Sequence, residues 1–187
     1  MLKKWRKEGE PKILAEAHKK VLITQHFVSE NGEEKDWTLF AGKVKGSSIV
    51  LPVTNDGNVV AIKEFKFGSG DIQLELPCGN MNDGENSLDA AERELLEETG
   101  YECEKIIPLM PDDNPLWHDT SSAVARLHPF LALGCKKAKE QSLDQGEEIE
   151  FKEIPVPEWM TKTENGEISD MKSLAVTLLA KKYLKNI

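Results

Sequence analysis

Residues 79–101 read G-N-M-N-D-G-E-N-S-L-D-A-A-E-R-E-L-L-E-E-T-G-Y. From Glu85 to Thr99 the apolar spacing is helical, and Gly100 is the expected stop. At about 100° per residue, with Glu94 at zero, Glu98 falls at about 40° and Glu97 at about −60°. The three carboxylates share one face. Leu88, Ala91 and Leu95 fall at about 60–120° and form the expected buried stripe. Ala90 lies one turn before Glu94 and leaves space beside the carboxylates. Glutamates placed this way repel one another. A divalent cation removes the conflict, and hard oxygen ligands suit Mg²⁺ or Mn²⁺. Such an ion binds diphosphate oxygens and activates water. For a bare run of glutamates, a solvated helix face is the alternative. The Arg93–Glu97 pair, four residues apart, is worth little alone.

Around this helix the pattern is that of short strands. Residues 1–19 are charged and mildly helical. Strand-like runs follow at 21–28, 37–42, 48–53, 59–65 and 73–76. Asn55-Asp56-Gly57-Asn58 is a hairpin signal joining the third run to the fourth. Beyond the helix, 101–109 reads as a strand and 108–120 as a long irregular loop. Residues 123–134 form a strand broken or edged near Pro129. Residues 136–148 are an exposed loop and 149–154 a strand. Residues 157–162 and 168–184 are helical, with Met171, Leu174, Leu178 and Leu179 on one stripe of the last. This order suggests an α+β or α/β sandwich.

The chain has 187 residues, 30% of them charged, with a net charge of −9. That length buries a core without disulfides. The acidic balance argues against nucleic acid, which is held by clustered Lys and Arg. No apolar run approaches the roughly 20 residues of a membrane span. The basic N-terminus leads into no apolar segment, so no signal peptide is read. Cys78, Cys103 and Cys135 are odd in number and lack CxxC spacing, which fits a reducing cytoplasm.

The full pattern is Gly, five residues, Glu, seven residues, Arg-Glu-apolar, any, Glu-Glu, any, Gly. Gly79, Glu85, Arg93, Glu94, Leu95, Glu97, Glu98 and Gly100 carry it. It resembles the signature box of the Nudix hydrolase superfamily, with Tyr101 in place of the usual final aliphatic residue. The resemblance implies a mixed sheet sandwiched between helices and cleavage of a diphosphate linked to a further moiety. It implies that Glu94 and Glu98 bind metal, that Glu97 is a ligand or base, and that Arg93 orients them. Glu85, opposite Glu94 on the wheel, is given a structural role. Residues 75–79, E-L-P-C-G, resemble the approach to the box in ADP-ribose pyrophosphatases, where the residue at Cys78 gives its backbone carbonyl to the metal. Lys66 stands where an Arg usually meets substrate, which weakens a bidentate contact. Glu75 and Trp37 complete the substrate-side candidates, Trp37 by stacking on a base. In the acidic loop 144–151, Glu147 is the expected base or further ligand, with Glu148 second.

These likenesses imply hydrolysis of a nucleoside diphosphate sugar, ADP-ribose first, by a cytoplasmic homodimer. Residues 1–45 would be an extension with dimer-forming strands and 46–187 the hydrolase domain. GDP-mannose, a dinucleoside polyphosphate or a nucleoside triphosphate are alternative substrates. The tyrosine expected of dinucleoside polyphosphate enzymes is replaced by Trp117. A nucleotide-sugar sensor is the non-enzymatic alternative, which the intact box glutamates oppose.

Overall fold

The computed structural model describes residues 2–17 and 20–184. The chain divides into two compact units. The first takes residues up to 46 together with 117–126. It is an antiparallel sheet in the order β1 (Trp5–Ala17), β2 (Lys20–Ser29), β3 (Glu34–Gly42). Its small core is Val21, Ile23 and Leu39, with Phe27, Ala41 and Val124 against them. The mild helix expected over 1–19 is corrected here: its described residues are mostly the strand β1, every residue of which is exposed. A helix there would have no apolar stripe to bury, whereas β2 offers a ladder for the backbone. The Gln25 amide fills a bulge in that ladder, donating to the carbonyls of Glu8 and Gly9 at 3.2 and 3.3 Å.

The second unit holds β4 (Ser47–Thr54), β5 (Asn58–Lys66), β6 (Asp71–Glu75), β7 (Cys78–Asn80), α1 (Ser87–Thr99), β8 (Tyr101–Glu102) and β9 (Lys105–Pro108). β10 (Leu116–Trp117), β11 (Arg126–Lys137), β12 (Ile149–Pro155), α2 (Val156–Glu164) and α3 (Met171–Leu184) follow. The sheet runs β10-β11-β4-β5-β12, with β6 on β5, β7 on β4, and β8 and β9 on β11. β11 is parallel to β4, while β12 and β6 are antiparallel to β5, so the sheet is mixed. This is the α+β architecture with helices on both faces.

Strand β4 is buried along its whole length, as a strand covered on both faces must be. Ile49, Leu51 and Val53 face one way and join Trp159, Val176 and Ala180 of α2 and α3. Val50 faces the other way and joins Ala91 and Leu95 of α1. Truncating a residue such as Leu51 to alanine costs about 2–5 kcal/mol.

Three expectations are revised. The run 101–109 splits into β8 and β9, opposite Gly134, where β11 shifts register against β4 with φ of 67°. β11 passes unbroken through Pro129, whose carbonyl accepts the Leu109 N–H at 2.9 Å. On α3 the buried face is Ser173, Val176, Thr177, Ala180 and Leu184, while Met171 and Leu178 are exposed. Small residues set that face because they admit hydrogen bonds: Trp159 Nε1 donates to Thr177 Oγ1 at 2.9 Å, and Ser173 Oγ accepts the Leu76 N–H. No helix among the described residues is long and apolar enough to cross a membrane.

Candidate active site

Helix α1 starts at the Asn86 cap, whose side chain accepts the Asp89 N–H at 2.9 Å. It ends at Gly100, with φ of 75° and its N–H on the Leu96 carbonyl. Ala90, Ala91 and Leu95 are buried. Leu88, expected in the same stripe, is 39% exposed. It sits in the first turn of the helix.

Seating α1 on Ala91 and Leu95 turns Glu94 and Glu98 toward β7. Glu98 is buried, and its Oε2 accepts the Cys78 N–H at 2.9 Å. The Glu94 carboxylate lies against Gly79 so closely that a Cβ there would fall 1.9 Å from it. Gly79 is therefore required by close approach rather than by its own backbone angles. Glu97 points outward and is half-exposed. Arg93 gathers the group. Its guanidinium donates to Glu85 through Nε and Nη2 at 2.8 and 2.9 Å, and to the Asn80 carbonyl at 2.9 Å. Its Nη1 donates to Glu94 at 2.7 Å and to Glu97 at 2.9 Å. Glu85 also accepts the Asn82 N–H, so it pins the approach loop to the helix.

Burial drives the Glu98 carboxyl well above the ordinary carboxylate range, and the Glu94 charge adds to it. Burial also raises Glu94, against the lowering effect of Arg93. The Glu147 charge also raises Glu94. Arg93 holds Glu85 below the usual range. Burial pushes the Cys78 thiol up to about 12, and it packs among apolar side chains. The backbone of Cys78 lies at the site and its thiol in the core.

Among the described residues no three carboxylate, imidazole or thiol side chains converge on one point to hold a metal. The donor chemistry nevertheless fits a hard divalent cation. The buried Glu98 and the partly buried Glu94 stand on adjacent turns of one helix, and burial disfavours the charge on each.

Glu147 is exposed, and its carboxylate accepts the Asp144 N–H at 3.0 Å. The segment before it is tied to α1. Ser142 N–H donates to the Glu97 carbonyl, and Gln141 Nε2 to the Glu98 carbonyl. Lys137 Nζ reaches the Thr99 carbonyl, and the amides of Ala138 and Lys139 that of Gly100. The expected exposed loop 136–148 thus begins as the cap of the box helix. Nothing in its polar composition marks Gln141, because the partners are main-chain carbonyls.

On the other side, Lys66 pairs with Glu64 and stands 3.4 Å from Glu75 Oε2. Lys172, at the start of α3, stands 3.6 Å from the same oxygen. Lys172 carries no motif and was not among the sequence candidates; only the Asp170–Ser173 spacing of a helix cap lies near it. The second unit thus holds Lys66, Glu75, Cys78, Arg93, Glu94, Glu97, Glu98 and Glu147. Trp37 belongs to the first unit. There its Nε1 donates to the Ser121 carbonyl at 2.9 Å, and Lys35 lies over its ring. It lines a cavity of about 420 Å³ with Trp5, Phe27 and Trp117.

A crystal structure of an ADP compounds hydrolase aligns with a TM-score of 0.76 over 95% of this chain and 96% of that one, at 18% identity. The fold is shared. An ADP-ribose pyrophosphatase of Bacillus subtilis (strain 168) is 30% identical over 132 residues, covering 70% of this chain and 69% of its own. A methanol dehydrogenase activator of Bacillus methanolicus is 30% identical over 143 residues, covering 75% of this chain and 72% of its own. Residues 44–180 match the NUDIX domain, a span that takes in the Gly79 approach, the Arg93 hub and the Glu147 loop alike, and the chain belongs to that family.

Proposed function

We propose that this Nudix pyrophosphohydrolase cleaves the diphosphate bond of a nucleoside diphosphate sugar, ADP-ribose first, to a nucleoside monophosphate and a sugar phosphate. Members of the family act on small nucleotide substrates and need a divalent metal ion. The carrying observation is the convergence of two carboxylates on the Cys78–Gly79 backbone, the buried Glu98 by a hydrogen bond and the partly buried Glu94 by contact. Glu94, Glu98 and the Cys78 carbonyl would hold Mg²⁺, with Glu97 as a further ligand; Mn²⁺ suits the same oxygens. The bound ion supplies charge neutralisation at the diphosphate and a lowered pKa for water. Arg93 fixes the rotamers of Glu94 and Glu97 through charge-assisted hydrogen bonds. Glu147 takes the proton of the attacking water, with Glu97 the second candidate. Lys66 meets the substrate, with Glu75 as its buried counter-charge; Trp37, in the first unit, is the candidate for stacking on a base. Residues 1–45 serve a cytoplasmic homodimer, and 46–187 carry the hydrolase chemistry. The net charge of −9 disfavours a nucleic-acid substrate.

The test is product release from ADP-ribose, other nucleoside diphosphate sugars and GDP-mannose, with Mg²⁺ and with EDTA, beside Glu98→Gln. Turnover abolished by EDTA and by the variant supports the reading and ranks the substrates. Binding without turnover of any compound would establish a sensor instead.

A further inference from the structure

Five side chains of the second unit form a line of charge beside the box helix: Glu64, Lys66, Glu75, Lys172 and Asp170. Glu75 Oε2 stands at its centre. It is buried and makes no hydrogen bond. Lys66 Nζ is 3.4 Å away and Lys172 Nζ 3.6 Å away. A second carboxylate also faces each ammonium. Lys66 is hydrogen-bonded to Glu64, and Lys172 lies 3.9 Å from Asp170 Oδ1. One buried carboxylate is thus shared by two cations.

The position of Lys172 is built in. Asp170 Oδ2 accepts both the N–H and the hydroxyl of Ser173, at 2.9 and 2.7 Å. Ser173 Oγ in turn accepts the Leu76 N–H at 2.9 Å. The first turn of α3 is thereby fastened to the segment that leads from Glu75 to Cys78. The charge of Lys172 is felt at Cys78, and that of Lys66 at Glu98.

A buried carboxylate demands a counter-charge. A guanidinium has five donors in a planar fork and can serve a protein carboxylate and a phosphate at once. An ammonium is a compact point charge, and a buried carboxylate with no other cation captures it. Here two lysines divide the work.

We propose that Lys172 is a positioning residue for Lys66: it compensates Glu75, so that the Lys66 ammonium, held by Glu64, is not drawn in to Glu75 and can turn to a phosphate oxygen of the nucleoside diphosphate. The inference rests on the reading of Lys66 as a substrate contact. Lys172 itself does not touch substrate.

The experiment compares wild type, Lys172→Gln, Lys172→Arg, Lys66→Gln, the Lys66→Gln/Lys172→Gln double variant and Glu75→Gln/Lys172→Gln. Each is assayed on ADP-ribose with Mg²⁺ and titrated calorimetrically with ADP and Mg²⁺, after its melting curve is recorded. Lys172→Gln raises KM by about tenfold, the size of one charged hydrogen bond, with kcat within about twofold. Lys172→Arg restores KM. In the Lys66→Gln background the second substitution adds less than about twofold, because the residue acts through Lys66. Glu75→Gln/Lys172→Gln binds ADP more tightly than Lys172→Gln alone, since the demand for a cation is gone. Additive effects of the two lysines, an unchanged KM, or a loss confined to kcat would each overturn the proposal. If wild type cleaves no nucleotide sugar, the functional reading fails by itself, and the ADP titrations still decide. An affinity lost in Lys172→Gln but not lost further on the Lys66→Gln background supports the role. Equal affinities, or no ADP binding by wild type, sink it.

Discussion

Gln141 Nε2 donates to the main-chain carbonyl of Glu98, and the same nitrogen donates to the carbonyl of Ile149 at 3.1 Å. One side chain thus joins the last turn of the box helix to the start of β12. The carbonyls of a helix's final turn have no partner within the helix. Here those of Glu97, Glu98, Thr99 and Gly100 are all met by residues 137–142. The loop that carries Glu147 is hung from the helix that carries Glu94 and Glu98.

Gln141→Leu removes both donations at once. The expected cost is about 1–3 kcal/mol, because two carbonyls lose a partner where water enters poorly. For a chain of this size that lowers the melting temperature by about 2–4 °C per kcal/mol. Turnover falls further than stability explains, since the loop that carries Glu147 is no longer fastened to the last turn of the box helix. A melting curve beside kcat at a temperature well below both midpoints separates the two effects. Unaltered kcat would show that Glu147 needs no such anchor.

Gly79→Ala tests the close approach on the other side of the helix. The added Cβ would fall 1.9 Å from the Glu94 carboxylate, so the carboxylate has to move. It is the end of a flexible side chain, and the fold survives its displacement. Activity does not, because Glu94 leaves the Cys78–Gly79 backbone and strains its bond to Arg93. The expected result is a loss of at least about tenfold in kcat/KM, or about 1.4 kcal/mol of transition-state stabilisation, with a cooperative melt retained. A variant with wild-type kcat/KM would mean that Glu94 works from another position.

What the sequence made legible follows from which contacts are local. The spacing of Glu94, Glu97 and Glu98, the Gly100 stop and the Asn55–Asn58 turn are set within one turn of chain, and β4, β5 and α1 lie close to where the pattern puts them. The buried faces were less legible. Leu88 and Leu178 have the right chemistry and spacing for a core, but the helix ends and the small residues Ser173 and Ala180 decide which face docks. β1 was hidden for a related reason: its ladder depends on β2, and its own residues bury nothing. In the site, the side-chain carboxylates were readable from a helical wheel. Gln141 and Lys172 were not, because each meets a partner distant in sequence, Glu98 and Glu75 respectively, and neither pairing leaves a periodic trace.

Tyr101 departs from the box pattern, and its role is local. Its hydroxyl donates to Glu153 Oε1 at 2.5 Å, its ring meets Phe151 edge-on with centroids 5.6 Å apart, and burial with the Glu153 charge raises its pKa. Asn58 Nδ2 still holds the other Glu153 oxygen. Tyr101→Phe keeps the ring packing and loses one hydrogen bond, at a cost of about 1 kcal/mol. Kinetic constants stay within about twofold of wild type. A large loss of kcat in this variant would place the Tyr101–Glu153 contact in the chemistry.

Glu98 provides a pH test with a defined sign. Its folded pKa lies well above the ordinary 4.5 because of burial first and Glu94 second. Below 4.5 the carboxyl is protonated in folded and unfolded chains alike, and its contribution to stability is fully present. As pH rises, the unfolded chain ionises freely while the folded one ionises against burial, so stability is lost up to the folded pKa. Each unit of that gap is worth about 1.4 kcal/mol. Glu94 acts in the same sense, whereas Glu85, held low by Arg93, contributes stability above its ordinary value that is lost toward acid. Glu98→Gln isolates one member of this set, because the amide oxygen still accepts the Cys78 N–H and no longer ionises. In EDTA the variant melts higher than wild type, and the difference widens as pH rises from about 4.5 toward neutrality. Mg²⁺ raises the wild-type midpoint at neutral pH and leaves the variant nearly unmoved, since binding to the folded state alone is what stabilises it. A difference that stays flat with pH would show that the fold does not oppose the Glu98 charge, and equal Mg²⁺ responses would remove Glu98 from the metal site.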